Sequence, residues 1–520
     1  MDSDLTRRRL LASAGLAVSA GAASVAGATG TDRLEAPSSR AANQPEVRWN
    51  RSYGPRSYNS ATSVLETDDG DLVALGSVQE SQYGSGAGWL FSVDRASGEG
   101  RWSHFMERGE ESFAATAIAE ADDGFVLLGG GLQGEQIALR KVTADGERSW
   151  RQTYGPSIDG ETPRMAGFEL QAVDDGYLVG GYVLQQTETT TAESATAFAL
   201  KVDAEGTEQW RHRFFEDHLS GLQSIVVDGD GYVASGVIQN PPESDGDRPT
   251  VKTVLFRFDE SGSIDWRTQI TEGTEGEPNQ SNQVVDHAAT AEGYLLVGLT
   301  GSSFETSAWV VATDESGSVR TSRTVDPEES DQRLTLGSVA GDGDTAYVTG
   351  SLVNRASQES SAWLGEFSES TELNWSVEPA RKQTNAFQDV VVTSDGGIAV
   401  VGRALTDEEN ADTPGEAWLV KLGGEPAPTQ APTTDSEDTP TPSPTPTASP
   451  TPTPTAEPTA TPTEMATATA TATPVPEDDQ TETTSGGGPG FGVGTALAAL
   501  GGGALARKCG LTSGSNADED

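Results

Sequence analysis

The sequence predicts an all-β fold, a seven-bladed β-propeller of four-stranded blades closed by an N-terminal strand. Three observations lead there. One pattern of strand-sized apolar runs and glycine turns recurs seven times between residues 46 and 424. All ten tryptophans fall into two columns of that pattern. The last copy lacks its final strand, and a matching strand stands ahead of the first copy.

Each copy opens with a strand, as in SATSVLE (60–66) and QDVVVTS (388–394). A turn follows, such as Asp69-Gly70, Asp123-Gly124, Asp175-Gly176 or Asp230-Gly231. These dipeptides supply the positive φ of tight hairpins. Next comes an apolar strand ending in glycine: LVALG (72–76), YLVGG (177–181), YLLVG (294–298), IAVVG (398–402). A polar loop of variable length leads to a second apolar strand, such as FALKVD (198–203) or AWLVKL (417–422). Another turn and a fourth strand complete the copy, and no helix-period segment of useful length interrupts the series. Four strands in roughly 50–55 residues is the length of a propeller blade.

A lone four-stranded sheet has two faces to cover. Stacking like sheets around an axis covers both. Trp89, Trp309, Trp363 and Trp418 open the second apolar strand, while Trp49, Trp102, Trp150, Trp210, Trp266 and Trp375 lie in the fourth. Large, rare residues at fixed positions imply packing between blades. The seventh copy stops at Leu422 with three strands, and EVRWNRSYG (46–54) matches SWRQTYG (149–155). Strand 46–54 therefore completes the last blade and closes the ring.

Eighty acidic residues against 33 basic ones give a formal charge of −47. That argues against nucleic acid as a partner, because phosphate binding needs clustered Lys and Arg. Only six basic residues are lysines: Lys141, Lys201, Lys252, Lys382, Lys421 and Lys508. Acid-rich, lysine-poor chains resemble proteins of halophilic archaea, where molar salt shortens the Debye length to about 3 Å and screens self-repulsion. The single cysteine, Cys509, excludes an internal disulfide framework and a cysteine metal site. His104, His212, His218 and His287 are scattered without a ligand spacing and read as structural.

Asp94 to Trp102 is similar to the tryptophan-docking motif of quinoprotein propellers, in which a turn glycine stacks on a neighbouring blade's tryptophan. Only the first blade keeps its full spacing, and that family's quinone and calcium ligands cannot be placed. Asp228-Gly229-Asp230-Gly231 and Asp342-Gly343-Asp344 lack the remaining ligands of a calcium loop and lie between paired strands. There is no G-x-S-x-G elbow. No catalytic, cofactor-binding or metal-binding residue is assigned, and neither calcium nor a quinone is expected.

The ends of the chain read as addresses. In 1–28, Thr6-Arg7-Arg8-Arg9-Leu10-Leu11, an apolar run and Ala26-Gly27-Ala28 resemble a twin-arginine export signal, with Arg7 and Arg8 as the pair and cleavage after Ala28. Residues 29–45 form a flexible linker to the propeller at 46–424. From 425 to 487, Thr-Pro alternation gives a disordered, extended stalk suited to O-glycosylation. Residues 488–508 hold Pro489-Gly490-Phe491, a Gly/Ala/Leu run and Arg507-Lys508. They resemble the PGF-type sorting signal of haloarchaeal surface proteins. A polar acidic tail, 509–520, follows. These resemblances imply the twin-arginine translocase and an archaeosortase as processing partners. They also imply attachment to the membrane through the C-terminal segment or a lipid, with the propeller outside the cell.

The repeat also resembles a family of bacterial and archaeal surface propellers with the pattern DGGY-[IL]-V-x-G…W-L-x-K-L-D-x-x-G-x-x-x-W. The copies with Trp150 and Trp210 match it best. The expected function is a surface-anchored binding, adhesion or envelope module, non-catalytic, with a protein or glycan ligand. A secreted propeller enzyme, quinoprotein-like or glycan-active, is the alternative. The variable loops at 183–196, 237–250, 299–307, 351–361 and 403–416 are the candidate binding face. Asn50, Asn279 and Asn374 begin N-x-S sequons and are candidate N-glycosylation sites.

Overall fold

A computed structural model describes residues 44–424, apart from 55–57, 80–86, 107–113, 131–135, 145, 156–163, 187–192, 241–249, 271–280, 302–305, 328, 330, 358, 380–384 and 406–414. The described residues all fall in one of the chain's two compact units, and the other, Pro428–Gly492, lies outside them. Arg7, Arg8, Ala28, Asn279, Pro489, Gly490 and Phe491 lie outside them too, as do large parts of the variable loops.

The described strands form seven four-stranded antiparallel sheets. A single strand, β1 (Val47–Tyr53), precedes them. Blade 1 is β2 (Tyr58–Glu66), β3 (Asp71–Gln79), β4 (Ala87–Asp94) and β5 (Gly100–Phe105). Blade 2 is β6 (Ala114–Ala121), β7 (Gly124–Gly130), β8 (Ile137–Thr143) and β9 (Arg148–Tyr154). Blade 3 is β10 (Arg164–Val173), β11 (Gly176–Gln186), β12 (Glu193–Asp203) and β13 (Glu208–Phe214). Blade 4 is β14 (Leu219–Asp228), β15 (Gly231–Asn240), β16 (Thr250–Phe258) and β17 (Ile264–Ile270). Blade 5 is β18 (Ser281–Thr290), β19 (Gly293–Gly301), β20 (Thr306–Asp314) and β21 (Val319–Val325). Blade 6 is β22 (Gln332–Asp342), β23 (Thr345–Asn354), β24 (Ser360–Ser368) and β25 (Leu373–Val377). Blade 7 has β26 (Asn385–Val392), β27 (Gly397–Leu405) and β28 (Gly415–Gly423), and β1 is its fourth strand.

The pairing of β1 with β28 sets Ser52 opposite Trp418 and Asn50 opposite Val420. It closes the ring as the sequence predicted, with three strands from one end of the domain and one from the other. The first strands of neighbouring blades pack on one another all the way round, β26 on β2 included. They therefore surround the axis, and the fourth strands form the rim.

Each blade buries its alternate residues against the next. The closing seam joins Trp49, Ala399, Val401, Ala417 and Leu419 of blade 7 to Ala61, Leu72, Ala74, Trp89 and Phe91 of blade 1. Both faces of the middle strands are covered, so β7 reads FVLLG and is buried at nearly every residue. Apolar burial at about 25 cal/mol per Å² drives the stacking.

Candidate functional site at the propeller axis

Every first strand carries a bulge, and every bulge faces a glycine. Register shifts occur at Gly167/Glu169, Val284/Asp286 and Phe387/Asp389, with counterparts in the other four blades. The glycines that end the LVALG-type strands lie opposite. A Cβ on Gly181 would stand 1.9 Å from the Ala166 carbonyl oxygen, and one on Gly298 2.1 Å from that of Gln283. The glycine column is thus imposed by close backbone approach at the bulge.

Beyond the bulge, corresponding positions around the axis hold Ser63, Ala117, Glu169, Ser224, Asp286, Ser338 and Asp389. Asp286 Oδ2 accepts the Val339 N–H and the Ser338 hydroxyl of blade 6, both at 3.0 Å. Asp389 Oδ2 accepts the Val64 N–H at 2.9 Å and the Ser63 hydroxyl at 3.0 Å, both in blade 1. Each aspartate uses its other oxygen for the next backbone N–H, that of His287 at 2.8 Å and that of Val390 at 2.9 Å. Ser338 Oγ also lies 2.8 Å from Asp389 Oδ1. One hydroxyl proton therefore serves two carboxylates, and a carboxylate–hydroxyl–carboxylate chain links blades 5, 6, 7 and 1. Charge-assisted bonds of this kind are the strong ones. No group of three or more His, Cys, Asp or Glu stands in a metal-binding arrangement among the described residues.

A second constellation lies at the hairpin turns. Lys141, Lys201, Arg257 and Lys421 occupy one column of the third strand, each opposite a rim tryptophan. Lys201 Nζ is 2.9 Å from Asp175 of its own blade and 2.5 Å from Glu260 in the next blade's turn. Burial opposes its charge, but the two carboxylates outweigh burial and hold its pKa above the usual lysine range. Arg257 gathers Asp228, Asp230 and Asp265, so the Asp-Gly turn at 228–231 is ion-paired within its own blade. At the closing seam, Lys421 meets Asp395 at 3.1 Å, and Arg95 of blade 1 reaches both Asp395 and Glu66. Burial lowers the Lys421 pKa against the pull of Asp395. Burial would raise the Asp395 carboxyl, but Thr393 and Lys421 hold it below the ordinary range.

The rim tryptophans sit under the next blade's turn. A Cβ on Gly98 would lie 2.7 Å from the Trp49 ring, and Gly206 and Gly317 press likewise on Trp150 and Trp266. The shorter turns therefore dock as the full-length turn of blade 1 does, since a glycine at positive φ lets either close against a ring. At two seams a histidine intervenes. His104 stacks on Trp102 at 4.8 Å and His212 on Trp210 at 4.6 Å, beneath Gly146 and Gly262. Their Nε2 atoms lie 3.1 Å from the Ala144 carbonyl and 2.9 Å from that of Glu260. A carbonyl only accepts, so Nε2 carries the hydrogen in each. Trp49 Nε1 donates to the Arg95 carbonyl in the same way. Of the other tryptophan column, Trp309 and Trp418 are fully buried, and Trp89 and Trp363 nearly so.

Asn50 Oδ1 accepts the Trp418 indole N–H at 2.6 Å. Asn374 is exposed and donates to Glu366 at 2.8 Å. Sequence reasoning missed the axial aspartates, although a signal existed. Glu169, Asp286 and Asp389 each stand the same distance ahead of a turn carboxylate, namely Asp175, Glu292 and Asp395.

No protein-family pattern matches the chain, and no curated protein sequence matches it. Solved structures do resemble it in fold. The β-propeller domain of the Trilobed protease from Pyrococcus furiosus is 10% identical, with a TM-score of 0.40, over 70% of this chain and 94% of that one. A neuraminidase-like protein of A/flat-faced bat/Peru is 10% identical, with a TM-score of 0.40, over 74% and 96%. An alpha-L-arabinofuranosidase from Fusarium graminearum is 9% identical, with a TM-score of 0.39, over 73% and 98%.

Proposed function

We propose that the chain is a surface-anchored extracellular propeller serving as a binding, adhesion or envelope module, and that it is not catalytic. The observation that carries this reading is the engagement of Asp286 and Asp389. Both carboxylates bond the backbone of the following blade and hold the ring together. The leader, the Thr-Pro stalk and the sorting segment add support, because they imply display on a stalk outside the cell. The test uses protein recovered from its native cells. Its mature N-terminus should follow Ala28, and mass spectrometry should find no peptide beyond the Pro489 region. A glycan and protein binding screen in molar salt should yield a saturable ligand without turnover. Redox turnover with a quinone, or an intact Cys509 peptide in the mature protein, would sink the corresponding part of the reading.

A further inference from the structure

The propeller sorts its charge radially. The seven rim strands carry ten arginines and two histidines against one aspartate and one glutamate. The seven axial strands carry seven carboxylates and two arginines. On a chain of net charge −47, the rim is thus a cationic belt. It runs from blade 7 through blades 1 to 5, with Arg48 and Arg51 at one end and Arg320 and Arg323 at the other. It is interrupted at blade 6, whose β25 has no arginine. Some of these residues serve the fold: Arg48 meets Glu46, Arg101 meets Asp71 and Asp94, Arg211 meets Glu208, and Arg320 meets Glu292. Others are left over. Arg213 and Arg323 make no ion pair among the described residues, and Arg267 covers the Phe215 ring at 4.7 Å. Arg267 and Arg323 are exposed.

Charged edge strands deter edge-to-edge pairing, but that purpose accepts either sign. A chain so rich in Asp and Glu has instead placed arginine along one circumference. The free edge of each rim strand also offers unpaired N–H and C=O groups to hydroxyls. We propose that the rim belt binds a linear anionic polysaccharide, with guanidinium groups of successive blades gripping its carboxylates or sulfates and strand edges meeting its hydroxyls. This rests on the binding-module reading above and names the ligand class. Forked guanidinium contacts are direct. They lie within the Debye length of about 3 Å that molar salt leaves.

The experiment measures retention of the full native protein on polygalacturonate, dextran sulfate and neutral dextran, in about 0.5 M and 3 M salt. Retention on either anionic polymer but not on neutral dextran is expected, and comparing the two tells carboxylate from sulfate. The Arg213→Gln/Arg323→Gln variant should bind about tenfold more weakly or worse. Arg333→Gln/Arg355→Gln removes the same charge away from the rim and should change binding less than twofold. Melting temperatures of both variants are measured alongside, and retention is compared only well below them. Equal weakening by both variants, or none by the rim pair, overturns the rim assignment. Binding that ignores the rim pair leaves the binding-module reading standing. Polyglutamate retained as tightly as the polysaccharides overturns the ligand class in favour of an acidic protein. Failure to bind any polymer overturns this inference, while a saturable ligand found in the wider screen would still support the module.

Discussion

Thr321 and Thr371 meet through hydroxyls 3.3 Å apart at the seam between blades 5 and 6. The other turn-on-rim seams set a turn glycine against an aromatic ring: Gly98 on Trp49, Gly146 on His104, Gly206 on Trp150, Gly262 on His212, Gly317 on Trp266. Here both partners have changed together. Threonine replaces the rim tryptophan on β21, and Thr371 fills the room from the turn. Thr371 is fully buried and holds φ 61°, a conformation that costs a β-branched residue about 1–3 kcal/mol.

The pair gives a thermodynamic cycle. Thr321→Trp alone should drive the indole into Thr371 and lower the melting temperature. Thr371→Gly alone relieves the backbone but leaves a void. The double variant rebuilds the seam found elsewhere and should be at least as stable as the parent, a coupling of about 1–3 kcal/mol. A double variant as unstable as the two single effects added together would refute the exchange.

Gly298 offers a steric test. An added Cβ would stand 2.1 Å from the Gln283 carbonyl oxygen. Gly298→Ala should therefore cost about 3 kcal/mol or more, because the bulge backbone must move. At Gly130 the nearest atom is 3.4 Å away, so Gly130→Ala should fall within about 0.5 kcal/mol. Chemical denaturation of the two variants side by side decides.

Removing Asp389 should loosen the closing seam. Asp389→Ala leaves the Val64 N–H without its acceptor and breaks two serine contacts, a loss of about 2–3 kcal/mol. Asp389→Asn retains one acceptor oxygen and should lose less. Limited proteolysis near β2 and β26 reports the opening; unchanged cleavage in Asp389→Ala would show that the clasp does not hold the ring.

His287 makes the fold sensitive to acid. Its side chain is buried beside Ser235, whose hydroxyl oxygen is 3.0 Å from Nδ1. Burial pushes the imidazole pKa down from 6.5 to about 4. Between those values the unfolded chain binds the proton and the folded chain does not. This stability is therefore fully present above pH 6.5 and falls as the pH is lowered towards 4, by up to about 3 kcal/mol at 1.36 kcal/mol per unit. His287→Gln should flatten that part of the profile when melting temperature is followed from pH 7 to pH 4. An unchanged slope would place the acid sensitivity elsewhere.

The blades were legible because each is written in adjacent residues. The acidic-Gly turn, the apolar strand ending in glycine and the rim tryptophan recur in one order, and β1 answers the strand missing from blade 7. The axial clasp was harder to read, although Glu169, Asp286 and Asp389 share one offset from the turn. Among 80 acidic residues a recurring carboxylate does not stand out, and its partners lie in the next blade. The same holds for His104 and His212. Each follows a rim tryptophan by two residues, a spacing visible in the sequence, but the turn carbonyl that it meets belongs to another repeat.

The sequence by itself determined the class of fold, the strands of each blade and the means of closure. Those depend on side-chain period, turn chemistry and strand count, all of which are local. Tertiary structure decided which strands face the axis and which form the rim, and hence that carboxylates gather inside while arginines gather outside. It also decided that Asp389 holds Val64, 325 positions away. Such contacts arise only when the ring closes, because closure brings the two ends of the domain within hydrogen-bond distance.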